Sequence, residues 1–229
     1  VNVEAENARF TIEDGKVIEF QGSRPGAELE IGETHLALAA ALTQRAEHAA
    51  GVVQAVSLAT RQTEPTVTTR EVNHLGITEI LGVGVSSFAG SPPNRVKNIR
   101  NGVAKLNGIL IKPGEEFSTV TSTMPFTEEG GYLPELVIKG NEIKPEIGGG
   151  LCQIGTTLFR MAMMSALPIT ERRNHSLVVS YYNDLRNGLP GTDATIYDPV
   201  PDFRFKNDTG QYLLLEAVMD EAKGELIFT

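Results

Sequence analysis

The chain holds one cysteine and no tryptophan in 229 residues. A lone cysteine excludes an internal disulfide and any thiolate-rich zinc site. It leaves the compartment open, because an exported protein can simply lack disulfides. Positive charge is scarce too: 20 Lys and Arg against 29 Asp and Glu give a net charge of −9. Without a basic cluster to neutralise phosphates, nucleic acid is not an expected partner. No run approaches the roughly 18 apolar residues of a membrane span. No charged-then-apolar signal segment opens at Val1. A chain that begins without Met is expected to be an excised piece, its native anchor or signal missing. Metal chemistry fits poorly, since no His, Cys or Asp cluster has ligand spacing.

What is present is 41% hydrophobic residues, enough for one large or two small ordinary cores. Residues 1–24 read as two short strands around the Glu13-Asp14-Gly15-Lys16 turn. A helix is expected from Gly32 or Thr34 to about Ala50, with Leu36, Ala39, Ala40, Leu42 and Ala46 on one face, and a strand over 52–60. His35 and His48 sit on that helix 13 residues apart, which is not a same-face metal spacing, and read as surface residues. Thr63 to Arg70 has linker composition, with His74 at its end. The expected organisation is therefore a small α+β module over 1–69 and a second domain over 75–229.

In the second domain Gly82-Val83-Gly84-Val85-Ser86-Ser87-Phe88 lacks the Gly-Lys-Ser/Thr ending of a phosphate loop and is discarded as one. Asn94 to Leu106 reads as a helix, 109–111 as a strand, and 136–143 as a hairpin around Lys139-Gly140-Asn141. Leu151 to Ala166 reads as a buried central helix, with Met163 and Met164 widening its apolar belt. Strands are expected over 176–182, 194–197, 203–207, 212–217 and 225–228, so the fold class is α+β with the central helix on a mostly antiparallel sheet.

Cys152 follows Gly148-Gly149-Gly150-Leu151 and opens that helix. A thiol there meets unpaired N–H groups and the positive end of the helix dipole, both of which favour a thiolate nucleophile. The bland alternative is a small buried hydrophobe. Nucleophilic cysteine needs a base, and His175 is the single histidine from Leu75 onward, expected to open the strand after the helix. Asp193 is the candidate orienting group, with Asp198, Asp202 and Asn174 as alternatives. The glycines allow close backbone approach and leave N–H groups for an oxyanion, so Gly149, Gly150 and Gln153 are candidate donors. Thr156 and Tyr181 complete the candidate substrate contacts.

Several stretches resemble the VanW-like family. They are Gly148-Gly149-Gly150-Leu151-Cys152-Gln153, Glu171-Arg172-Arg173-Asn174-His175-Ser176, Val179-Ser180-Tyr181-Tyr182 and Gly191-Thr192-Asp193-Ala194-Thr195. Asp198 through Phe205, with Asn207, continues the likeness, and so do Asn94-Arg95, Asn98-Ile99 and Lys112 through Ser118 upstream. The chain departs at Gly155, where many relatives carry serine. Residues 1–69 resemble, more weakly, a peptidoglycan-binding domain that often precedes a VanW domain. The resemblance implies an extracytoplasmic protein of the bacterial cell envelope, in a family named for an accessory gene of glycopeptide-resistance clusters. For some members it implies a cysteine L,D-transpeptidase that cross-links peptidoglycan stem peptides. Family cysteine and histidine fall on Cys152 and His175, with no cofactor or metal. A carboxypeptidase or amidase at the same site is the alternative, as is a non-catalytic protein that binds peptidoglycan glycan and peptide.

Overall fold

The computed structural model describes residues 2–14, 16–45, 55–139, 142–184 and 188–229. His48 and the Lys139-Gly140-Asn141 turn centre lie wholly or partly outside them. The chain divides into two compact units, Val1–Thr11 with Ile18–His74 and Ile12–Val17 with Leu75–Thr229.

The first unit contains most of the hairpin β1 (Arg9–Glu13) and β2 (Lys16–Gln21), then β3 (Gly26–Leu29), α1 (Ile31–Arg45), β4 (Thr60–Thr63) and α2 (Thr69–Val72). Phe10 and Phe20 meet edge to face across the hairpin, ring centroids 5.6 Å apart. β3 pairs antiparallel with β4. Gly26 is obligatory in that pairing, because a Cβ there would lie 2.5 Å from both the Ala5 nitrogen and the Thr63 hydroxyl. The helix was expected to bury Leu36, Ala39, Ala40 and Leu42, yet all four are exposed. Helical periodicity marks a face but needs a layer to cover it. Here α1 is held by its first turn instead: Thr34 is buried, and its hydroxyl accepts the Ala59 N–H at 3.1 Å. Of the strand expected over 52–60, residues 52–54 lie outside the described residues, 55–59 are irregular and β4 starts at Thr60, and the segment 63–70 ends in a helical turn closed by a Thr68/Glu71 capping box.

The second unit runs β5 (Gly84–Ser87), α3 (Pro93–Leu106), β6 (Ile109–Ile111), β7 (Glu116–Ser118), α4 (Thr119–Thr123), β8 (Pro134–Lys139), β9 (Glu142–Ile147), α5 (Cys152–Met164), β10 (Ile169–Glu171), β11 (Arg204–Lys206), β12 (Leu213–Leu215), β13 (Ala217–Asp220) and β14 (Glu225–Phe228). The class is α+β, but the strands form small separate antiparallel sheets: β13-β14-β5, β10-β11-β7, β6-β12 and the β8-β9 hairpin. Two expected strands are absent. Residues 176–182 form a loop ending in a 3-10 turn at Ser180–Tyr182, and 194–197 is irregular. Side-chain bonds replace the ladder there, with the Thr156 hydroxyl taking the Ala194 N–H (3.1 Å) and donating to its carbonyl (3.2 Å).

The central helix α5 is buried continuously from Gln153 to Ala162. Met163 and Met164 are exposed rather than core, because the helix leaves the interior in its last turn. Met161, Ile154 and Leu158 pack with Ile99, Leu106, Phe203, Phe205 and Phe228 in one core cluster. The glycine-rich stretch at 82–88 supplies β5, not a loop. A Cβ at Gly84 would collide with the Thr157 carbonyl, so its absence lets the strand lie against α5. Ser86, fully buried, then meets the Thr157 hydroxyl at 2.6 Å.

Candidate functional site

α5 begins where the chain turns sharply out of β9. Gly148 and Gly150 adopt φ of +86° and +109°, conformations open to glycine and strained for other residues. Two neighbours press on the turn. A Cβ at Gly149 would sit 2.7 Å from the Glu135 carbonyl group, and one at Gly150 would sit 2.8 Å from Cγ of Arg95. Asn98 of α3, fully buried, pins the turn by donating to the Gly149 and Leu133 carbonyls, each at 2.9 Å. The glycines therefore make room for β8 and for Arg95. The Gly150 and Cys152 N–H groups have no protein acceptor among the described residues.

Cys152 stands in the first turn of α5, partly buried, with Sγ 3.5 Å from the Ile196 carbonyl. His175 reaches the same cavity wall as Cys152 from the loop after β10, not from a strand, close enough for the cysteine side chain to act on its charge. Its Nδ1 lies 2.6 Å from Oδ2 of Asp193, and the same oxygen accepts the His175 backbone N–H at 2.9 Å. Cysteine, histidine and aspartate thus stand together as a candidate triad, joined on one side by the His175–Asp193 bond. The alternatives do not: Asp202 is spent on Ser118, the Val120 N–H and Arg204, Asn174 donates to the His175 carbonyl, and Asp198 lines the cavity wall.

The carboxylate is itself held. Arg172 donates from Nε to the Asp193 carbonyl (2.8 Å) and from Nη2 to the Gly191 carbonyl (2.9 Å), with Asp193 Oδ1 at 3.5 Å. Its guanidinium lies over the Phe159 ring, 4.7 Å from the centroid. Burial favours a neutral Asp193, but its bonds from His175, with the Arg172 charge nearby, hold the carboxyl below its usual range. Burial likewise works against a charged His175, and the bond to Asp193 with the nearby Cys152 side chain overcomes it, raising the imidazole to about 9. The folded protein then binds this proton more tightly than the unfolded chain, whose reference value is 6.5. The resulting stabilisation is complete below that value and is lost as pH rises through about 9. The melting-temperature gap between wild type and His175→Gln should accordingly be widest near pH 6 and shrink toward pH 10. A gap that widens over that interval would contradict it.

A cavity of about 750 Å³ opens on this triad. Gly150, Cys152, His175 and Tyr181 line it, together with Arg95, Arg173, Glu146, Asp198 and apolar side chains of the β8–β9 hairpin. Of the expected substrate contacts, Gly149, Gln153 and Thr156 are not in its wall. Gln153 is fully buried, accepting from Arg95 at 3.0 Å and donating to Ser86 at 3.1 Å, and Thr156 is occupied by Ala194. Both brace the site from beneath. At Gly155, where a serine was noted in relatives, a Cβ would stand 2.9 Å from Cγ2 of Ile196, so glycine lets the 194–196 segment close over the helix. Among the described residues no group of His, Cys, Asp and Glu could hold a metal ion, and no helix is long and apolar enough to cross a membrane.

Two arginines were not singled out as site residues from sequence. Arg95 of α3 is half-buried in the cavity wall, donating from Nη2 to Gln153 Oε1 and to the Tyr182 hydroxyl, both at 3.0 Å. Its guanidinium stands over Tyr181, 5.2 Å from the ring centroid. Tyr182 in turn lies beside the His175 ring, centroids 5.0 Å apart. Arg160 of α5 is buried and donates to the carbonyls of Val85, Tyr182, Asn183 and Thr192, tying together the loops that carry His175 and Asp193. The Asn94-Arg95 pair was visible as a motif, but nothing local signals Arg160, which reads as one charge on an apolar helix.

Residues 94–228 match the family described as VanW like protein. The uncharacterized protein YoaR of Bacillus subtilis (strain 168) is 32% identical over 153 residues, covering 67% of this chain and 48% of its own length. The vancomycin B-type resistance protein VanW of Enterococcus faecalis (strain ATCC 700802 / V583) is 30% identical over 130 residues, covering 57% of this chain and 47% of its own. The chain thus spans about half the length of the curated relatives it matches. No solved structure matches it. With the family matching well over half of the chain, and with the triad inside the matched region, the protein belongs to the VanW-like family.

Proposed function

We propose that this protein is a cysteine acyltransferase of the bacterial cell envelope, acting as an L,D-transpeptidase on peptidoglycan stem peptides. The observation that carries this reading is that Cys152 and His175, the latter hydrogen-bonded to Asp193, face one cavity large enough for a peptide. The thiol proton passes to His175, which Asp193 orients and keeps charged. The Cys152 sulfur attacks the carbonyl carbon of a diaminoacid–D-alanine bond, and the tetrahedral oxyanion is held by the Gly150 and Cys152 N–H groups. As the amide C–N bond breaks, His175 returns its proton to the leaving D-alanine. A stem-peptide amine then gives a proton to His175 and attacks the thioester carbonyl, the C–S bond breaks, and the cross-link forms as Cys152 leaves as the thiolate beside the charged imidazole. No step needs a metal or an organic cofactor. One relative's name refers to vancomycin resistance, which supports an extracytoplasmic setting. In this reading residues 1–69 are the peptidoglycan-binding module and 75–229 the catalytic domain.

The test is incubation of the protein with purified muropeptides, followed by mass spectrometry of the peptide carrying Cys152 and of the products. An acyl adduct on Cys152 with new cross-linked dimers is expected. An adduct with only trimmed monomers would make the protein a carboxypeptidase. No adduct and no product change would leave a non-catalytic wall-binding protein.

A further inference from the structure

The acyl-transfer chemistry leaves Arg95 without a task, although it lines the same cavity as the thiol. Its side chain is fixed rather than free. The stem lies on Gly150, where no Cβ would fit without displacing it, and Nη2 is tied to Gln153 and Tyr182. Its hydrogen-bond and ring partners are formally neutral, an amide oxygen, a phenol and the face of Tyr181, and the Cys152 sulfur, whose charge also bears on it, is neutralised once acylated. No carboxylate lies against it among the described residues, and neither Nε nor Nη1 has a protein acceptor there. A guanidinium removed from bulk water is ordinarily matched by an anion, because neutral acceptors recover only part of its lost hydration. Here the unsatisfied side belongs to a cavity wall, so the matching anion is one that arrives.

We propose that Arg95 determines specificity by binding the terminal carboxylate of the residue that leaves. This rests on the acyl-transfer reading above. Arg95 lines the same cavity as Cys152 and lies near enough for the two to act on each other's charge, while one residue of extended chain beyond the bond under attack spans only ~3.5 Å. The cleft then accepts a peptide whose scissile amide is followed by one residue ending in a free carboxylate, and rejects internal bonds. The leaving amino acid carries its carboxylate out with it, which empties the Arg95 site for the incoming amine.

A tetrapeptide stem ending in D-alanine, prepared as the free acid and as the C-terminal carboxamide, tests this on wild type, Arg95→Gln and Arg95→Lys. The rate of acyl-adduct formation on Cys152 is read by intact mass spectrometry, with iodoacetamide alkylation as a substrate-free measure of thiol reactivity. Wild type should be acylated by the acid about 10²-fold faster than by the amide. Arg95→Gln should bring that ratio close to one with alkylation little changed, and Arg95→Lys should keep part of it. Equal acylation of wild type by acid and amide overturns this inference and leaves the acyltransferase standing. Slower alkylation of Arg95→Gln with the ratio preserved assigns Arg95 to the sulfur and also overturns it. Acylation by neither peptide removes both readings together.

Discussion

Asp193→Asn is expected to lower the rate of Cys152 acylation about 10²- to 10⁴-fold, with secondary structure unchanged. Asparagine is isosteric and can still accept the His175 backbone N–H now bonded at 2.9 Å. What it removes is the negative charge 2.6 Å from Nδ1, together with the guarantee that Nδ1 carries a proton. An amide that instead turns its NH2 toward the ring gives up the backbone N–H as well, since one oxygen serves both bonds, and forces the proton onto the nitrogen facing the thiol, so that the histidine no longer serves as its base. The raised imidazole should fall as well, since Asp193 is the largest of the causes that raise it. His175→Ala should cost a similar factor. The double variant should cost little more than either alone, because the two residues act as one unit. Single-turnover acylation followed by mass spectrometry gives these rates. An Asp193→Asn rate within about threefold of wild type would remove Asp193 from the mechanism and point back to Asp198 at the cavity wall.

The proposed pairing of Cys152 with His175 could be suggested from sequence because rarity carries information. One cysteine at the start of an apolar helix, and one histidine after residue 75, left few ways to build a nucleophile and base. Their surroundings were harder to read. The alternating residues 176–182 and 194–197 look like strands, but their backbone is held by Thr156, by the Arg173 carbonyl and by Arg160, through bonds spanning 22 to 38 residues. At 194–197 the alternation serves a loop with Ala194 and Ile196 in the core and Thr195 and Tyr197 at the cavity, whereas residues 176–181 are largely exposed. Gln153 and Thr156 were placed at the substrate because they neighbour Cys152 in sequence. On a helix those steps of one and four rotate a side chain away from or along the face that carries the thiol, and the surrounding sheets close over both. The glycines carried a correct signal with an incomplete cause. Gly149 and Gly150 are small because Glu135 and Arg95 press on them, and neither neighbour can be inferred from the local sequence. Periodicity marked α3 and α5 well because each has a core to face, and it misled at α1, whose apolar side is exposed.

The same dependence on distant partners makes Arg160 the residue whose loss should most damage the fold. Its guanidinium donates to the Val85 carbonyl at 2.7 Å, to Tyr182 at 2.5 Å, to Thr192 at 3.1 Å and to Asn183 at 3.3 Å. These acceptors belong to β5, to the turn that follows His175 and to the loop that leads into Asp193. Arg160→Met keeps the hydrophobic stem on α5 and strips the donors, leaving carbonyls that water reaches poorly. Charge-assisted bonds of this kind sum to about 2–4 kcal/mol here after the gain from no longer burying a cation. For a chain of this size that corresponds to a melting temperature lower by roughly 5–15 °C. Arg160→Lys should recover only part of the loss, because one ammonium cannot reach acceptors spread around a planar fork. Acylation should also slow well below the melting temperature, since the loops carrying His175 and Asp193 lose their common tie while both side chains remain. Calorimetry and the acylation assay on the same samples separate these effects. A melting temperature within about 2 °C of wild type would mean that the loops are held by their own packing, and that Arg160 is dispensable to the site it braces.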